Sequence, residues 1–289
     1  MKWEKGRRSS NVEDRRSQGG PRRGGGGMKM GVGTIVVAAV LYFGFGVDPS
    51  FLLQGGATSS TPARQSSQPA QKRSAAENKL ADFTTVVLAD LEDTWHVLFK
   101  QRGMTYKEPT LVLFTGSVRS ACGVQGAQTG PFYCPPDQKL YIDLSFFDEL
   151  SRRFGAPGDF AQAYVVAHEV GHHVQNLLGT SEMVHQKQRR LSKIEANKLS
   201  VRLELQADCY SGIWAHHAKN TRNIIEKGDI AEGLRAAQAI GDDTLQKQSQ
   251  GYVVKESFTH GSSKQRMHWF SQGFKSGKIA DCDTFSSRL

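Results

Sequence analysis

The sequence predicts an α+β domain, mostly helical with a small β-sheet and preceded by one transmembrane helix. Three observations predict it. Residues 111–114, 132–133 and 139–144 are short runs of strand character, the last two separated by Pro135, Pro136 and Asp137. From Phe147 onward the apolar residues recur at helical spacing, and strands followed by helices is α+β order. Residues 30–47 form a run without a charged side chain, about 27 Å long as a helix and close to the shortest membrane span.

Composition divides the 289 residues into four parts. Residues 1–29 carry nine basic against three acidic side chains, so most of the net charge of +9 lies there. Glycine and charge in residues 1–27 predict a disordered basic tail. Without aromatic interleaving or a binding motif, the charge does not predict nucleic-acid binding. Residues 30–47 read as a signal anchor, with a cleaved signal peptide or a buried core helix as rivals. An anchor oriented by its basic tail leaves the N-terminus cytoplasmic and exports the rest across a bacterial inner membrane. Residues 48–78 have the Ser, Gln, Ala, Gly and Pro content of a flexible linker. A folded domain over 79–289 opens with Leu80, Phe83, Val86, Val87, Leu91 and Trp95 at helical spacing.

The chemistry lies in residues 163–178, AYVVAHEVGHHVQNLL. Asp159 is a candidate N-cap and Gly179 a candidate stop, so the stretch reads as a helix. His168 and His172, four apart, share a face and can grip one metal ion. Glu169, beside the first ligand, can reach a water on that metal. Zn²⁺, one per chain, suits two imidazoles and brings such a water within reach of a carboxylate base. Val165, Val166, Val170, Val174 and Leu177 supply a buried face.

A catalytic zinc takes three protein ligands. Gln175 and Leu178 stand where HExxHxxGxxH needs Gly and His, so the third ligand comes from elsewhere. Glu204 and Asp208, four apart, lie among Leu203, Leu205, Ala207, Ile213 and Trp214. Two carboxylates in that setting need a positive partner, which zinc and its imidazoles supply. Glu204 is assigned to zinc, and Asp208 to the far N–H of a ligand histidine. His173, His185, His216 and His217 are further candidates, the last two fitting a helix surface more simply. Ser262 or Ser263 can cap a helix running to Phe274. The four cysteines form no CxxC pair. A Cys122–Cys134 bridge would staple a loop and leave Cys209 for Cys282; four reduced thiols are the alternative.

HEVGH followed by ELQAD resembles the gluzincin arrangement. More closely, WEKGRRSSNVEDRR, GPFYCPPDQKLYID, AHEVGHHVQ, RLELQADCYSGIWAHH, AIGDDTLQ and THGSSKQRMHWF resemble the putative neutral zinc metallopeptidase family of membrane-anchored bacterial proteins. The resemblance implies a zincin fold, with His168, His172 and Glu204 on zinc, Glu169 as base and Asp208 behind a ligand. By similarity to some gluzincins, His260 is a candidate donor to the oxyanion. The expected function is a zinc peptidase facing the extracytoplasmic side, acting on peptide or protein substrates. An extended peptide could add to a strand at residues 130–133 or at the Tyr141 strand. The alternative is a non-enzymatic envelope adaptor with a structural zinc, in which the motif's Glu has no task.

Overall fold

A serine starts the helix that opens the domain. In the computed structural model, which describes residues 1–17 and 73–287, the Ser74 hydroxyl accepts the Glu77 amide and caps α1 (Ala75–Gln101). The helix therefore begins before Lys79. Its apolar stripe of Phe83, Val87, Leu91 and Trp95 is buried.

A four-stranded sheet follows, built from β1 (Val12–Asp14), β2 (Thr110–Phe114), β5 (Phe132–Cys134) and β6 (Lys139–Asp143) in the order β1-β2-β6-β5. Strands β1 and β6 run parallel to β2, and β5 is an antiparallel edge. Between β2 and β5, β3 (Ser117–Ser120) and β4 (Gly123–Gly126) form a separate hairpin that periodicity does not predict. Among the described residues the remainder is helical: α2 (Ser145–Arg152), α3 (Asp159–Leu177), α4 (Thr180–Gln188), α5 (Lys193–Asn220), α6 (Asp229–Ala239), α7 (Asp242–Gln250) and α8 (Ser263–Ser276). The chain is thus α+β and mostly helical. The expected helical stretch over 183–218 is interrupted, because Ser192 accepts the Glu195 amide and starts α5 afresh.

Helix α3 carries HEVGH. Its N-cap is Gly158, not Asp159, which occupies the first turn. Gly179 follows the last turn in the left-handed region, where glycine carries no Cβ penalty. Two close approaches hold the helices together. A Cβ on Gly171 would lie 2.9 Å from the Ala207 carbonyl oxygen, so glycine lets α3 sit against α5. At the α5–α8 crossing, Gly212 and Gly273 meet the backbones of Phe270 and Cys209 too closely for any side chain. The Cys122–Cys134 and Cys209–Cys282 disulfides are both formed.

The expectation of a disordered tail fails over residues 1–17. The Arg7 guanidinium meets Glu92 at 3.0 Å and Asp93 at 2.7 Å, and Arg8 meets Asp82 at 2.6 Å. Arg16 bonds Asp14 and Glu77. Glu92 is only 3% exposed and also accepts from Ser9 and Asn11. Trp3 is buried edge-on against Phe83, 5.3 Å between ring centres. The Met1 amino group lies among Asp159, Glu226 and Asp229. Within residues 1–17, Arg7, Arg8 and Arg16 are thus paired with acids on α1, and the amino group with Asp159 at the start of α3.

The apolar run at 30–47 and the linker up to residue 72 lie outside the described residues. Among the described residues, no helix is long and apolar enough to cross a membrane. Strand β1 pairs with β2, so residues 12–14 belong to the same hydrogen-bonded sheet as the domain.

Candidate metal centre

Helices α3 and α5 bring the predicted cluster together. One nitrogen from each of His168 and His172 and a carboxylate oxygen of Glu204 lie within 4.8 Å of one another. His168 Nε2 is 3.1 Å from Glu204 Oε2, and His172 Nε2 is 3.4 Å from Glu204 Oε1. A tetrahedral zinc with bonds of about 2.0–2.1 Å sets its ligands about 3.3 Å apart, so this donor set fits it in identity and spacing. His172 and Glu204 are partly exposed, so the cluster has an open side toward solvent.

Each imidazole has its other nitrogen engaged. His168 Nδ1 lies 2.9 Å from Asp208 Oδ1. His172 Nδ1 lies 2.9 Å from Gln175 Oε1. These acceptors hold the proton on Nδ1 and turn Nε2 toward Glu204. Asp208 is fully buried; burial pushes its carboxyl up, but Arg266 and His168 beside it hold it below the usual range. Arg266 binds it through a fork, Nε at 2.9 Å and Nη2 at 3.0 Å, and Nη2 also reaches the Tyr164 hydroxyl at 3.2 Å. Tyr164 in turn donates to Asp208.

Glu169 is buried and lies outside the cluster of potential ligand atoms. Burial pushes its carboxyl above the ordinary carboxylate range, against the pull of His172 and His168. His260 sits in the turn before α8, and the field of Glu204 reaches it. Its Nδ1 is 3.2 Å from Asp242 Oδ1. Asp242 Oδ2 also accepts the backbone N–H groups of Thr259, His260 and Gly261 at 2.7–3.0 Å, which fixes that turn. Ser262, rather than Ser263, caps α8 in a capping box with Gln265.

The other histidines have different surroundings. His173 is buried between the Tyr133 hydroxyl and the Lys107 carbonyl, and burial lowers it to about 4. His216 and His217 bond carbonyls of Phe274 and Gly277. His185 lies on α4, away from the cluster.

Tyr164, Gln175, Asp242 and Arg266 are the site residues that pattern reading misses. Tyr164 precedes His168 by one turn and Gln175 follows His172 by three residues, so their helical positions hold a usable signal. Asp242 and Arg266 come from distant helices, and no spacing rule reaches them.

The profile of the putative neutral zinc metallopeptidase family matches residues 1–285. The chain belongs to that family. YpfJ of Escherichia coli K12, an uncharacterized protein, is 49% identical over 294 residues and covers the whole of both chains. The uncharacterized proteins Mb2605 of Mycobacterium bovis and Rv2575 of Mycobacterium tuberculosis are 43% identical over 192 residues, 63% of this chain and 64% of theirs. No solved structure matches. The match begins at residue 1, in keeping with residues 1–17 being packed against residues 73–287.

Proposed function

We propose that the chain is a zinc-dependent peptidase of zincin type, with one Zn²⁺ held by His168, His172 and Glu204. The observation that carries this is the convergence of those three donors beside a buried carboxylate, Glu169, that is not among them. When bound, zinc supplies Lewis acidity, polarising a carbonyl and lowering the pKa of a water to about 7. Glu169 takes a proton from the attacking water and delivers it to the leaving amine. Asp208 orients His168 and Gln175 orients His172. Asp242 accepts the His260 Nδ1–H and, against the downward push of burial, Asp242 and Glu204 hold this imidazole's pKa above its ordinary value; the protonated ring donates from Nε2 to the oxygen that gains charge.

Strand β5 is the place for an extended peptide to add, because it is a sheet edge whereas the Tyr141 strand β6 is interior. The Tyr133 hydroxyl meets His173 and Asn176 of α3, so this edge borders the metal helix.

Purified full-length protein should contain near-stoichiometric zinc by elemental analysis, and His168→Ala and His172→Ala should each lose it. Casein cleavage should stop on treatment with a zinc chelator and return with added Zn²⁺. Wild type that holds zinc but cleaves neither casein nor itself would favour the adaptor.

We also propose that the domain faces the extracytoplasmic side of the inner membrane, since both disulfides suit an oxidising compartment. Residues 1–17 share that side. Ser10 and Lys227 are exposed, so Ser10→Cys and Lys227→Cys report the two segments. A membrane-impermeant maleimide applied to cells with a permeabilised outer membrane should label both. Labelling of one alone would refute the shared side, and labelling of neither would place both in the cytoplasm.

A further inference from the structure

Behind His172 runs a chain of hydrogen bonds that ends at a disulfide. The His172 Nδ1–H donates to Gln175 Oε1, at 2.9 Å. The Gln175 amide nitrogen donates to Gln206 Oε1, at 3.1 Å, and to the Leu203 carbonyl, at 2.6 Å. The Gln206 amide nitrogen donates to the Cys282 carbonyl, at 3.0 Å. Both glutamines are buried, and Cys282 is bonded to Cys209, one turn beyond Gln206 on α5.

A side-chain amide donates only from its nitrogen and accepts only at its oxygen, so such a chain has a direction. The Cys282 carbonyl is purely an acceptor and requires the Gln206 nitrogen. That turns the Gln206 oxygen toward Gln175, where it and the Leu203 carbonyl take the two amide hydrogens, so the Gln175 oxygen faces His172. An oxygen there demands Nδ1–H and leaves Nε2 unprotonated, which is the tautomer a metal needs. If Gln175 flipped, its nitrogen would face Nδ1 and drive the proton onto Nε2. We propose that Gln206, anchored by the disulfide-pinned Cys282 carbonyl, is a positioning residue that, together with the Leu203 carbonyl, sets the tautomer of His172 through Gln175. The Cys209–Cys282 bridge is then part of what determines zinc affinity. This rests on His172 being a zinc ligand.

The rest of the tail is docked by other contacts. Arg202 donates to the carbonyls of Thr284 and Ser287, and the Thr284 hydroxyl bonds the Arg202 carbonyl at 2.7 Å. Losing Gln206 therefore removes the relay without releasing the tail.

The test measures zinc affinity of the full chain by competition with a chromophoric chelator. Gln206→Leu should weaken zinc binding about 10- to 100-fold, the range for residues that orient a ligand. The pair Cys209→Ala with Cys282→Ala should weaken it similarly. Combining all three should add little, because one pathway is broken twice. In metal-free protein at mildly alkaline pH, imidazole nitrogen NMR should show His172 held as Nδ1–H in wild type and mixed in Gln206→Leu. Wild-type affinity in Gln206→Leu, or an unmoved tautomer, would overturn the relay. Independent, multiplying losses would overturn it too, since they indicate general loosening. A His172→Ala variant with full zinc affinity would instead refute the ligand assignment beneath it.

Discussion

Glu169→Gln should lower peptide hydrolysis about 10²- to 10⁴-fold, the usual contribution of a positioned acid–base group, while zinc content stays at the wild-type level. The substitution keeps the size and one oxygen of the side chain and removes its basicity. Glu169 is not among the converging donors, so the metal loses no ligand. Stability should also hold. Burial makes the Glu169 carboxylate costly, as the upward displacement of its pKa records, and a neutral amide relieves that cost. The same displacement suits the chemistry, because a base whose pKa lies nearer the working pH both takes and returns a proton readily. The measurement is casein cleavage alongside elemental zinc and a melting curve. A zinc-loaded Glu169→Gln protein that cleaves at the wild-type rate would reject Glu169 as the base.

How much of this site can be read from sequence depends on the distance over which each residue acts. His168, Glu169 and His172 lie within one and a half helical turns, and helix geometry alone fixes their relation. Glu204 and Asp208 are legible for a different reason: two carboxylates amid Leu203, Leu205 and Ala207 need positive charge. What that argument misses is the second source of the charge. Asp208 is matched by Arg266, 58 residues away, whose partner no local pattern announces. Residues 1–17 show the same limit more severely. Their arginines read as a solvated run, because charge in a sequence carries no record of where its counter-charges lie. The acids that bind them, Asp82, Glu92 and Asp93, lie on an amphipathic helix where they read as an ordinary polar face. In the β3–β4 hairpin, glycine and serine supply neither alternation nor bulk, so the strands are set by pairing alone.

Arg266→Met should destabilise the metal-free domain by about 3–5 kcal/mol, the cost of removing one partner from a buried ion pair. For a domain of this size that lowers the melting temperature by on the order of 10 °C. Methionine fills much of the same volume, so the loss comes chiefly from charge and hydrogen bonding. Arg266 is 2% exposed and Asp208 is fully buried, so solvent cannot replace the guanidinium. Arg266 also gives up a donor to Tyr164 and one to the Ile240 carbonyl at 3.3 Å. Lysine should recover only part of the loss, since a single ammonium cannot reproduce the planar fork across both carboxylate oxygens. The double variant Asp208→Leu with Arg266→Met separates two roles. Replacing both charges by apolar groups should restore much of the melting temperature, because no buried charge is left unmatched. Zinc affinity should nevertheless fall, because His168 Nδ1 has then lost its acceptor. Thermal melts of metal-free protein and zinc competition on the same three variants check both halves. An Arg266→Met protein that melts with wild type would mean that Asp208 does not depend on this guanidinium. A double variant with wild-type zinc affinity would mean that Asp208 does not orient His168.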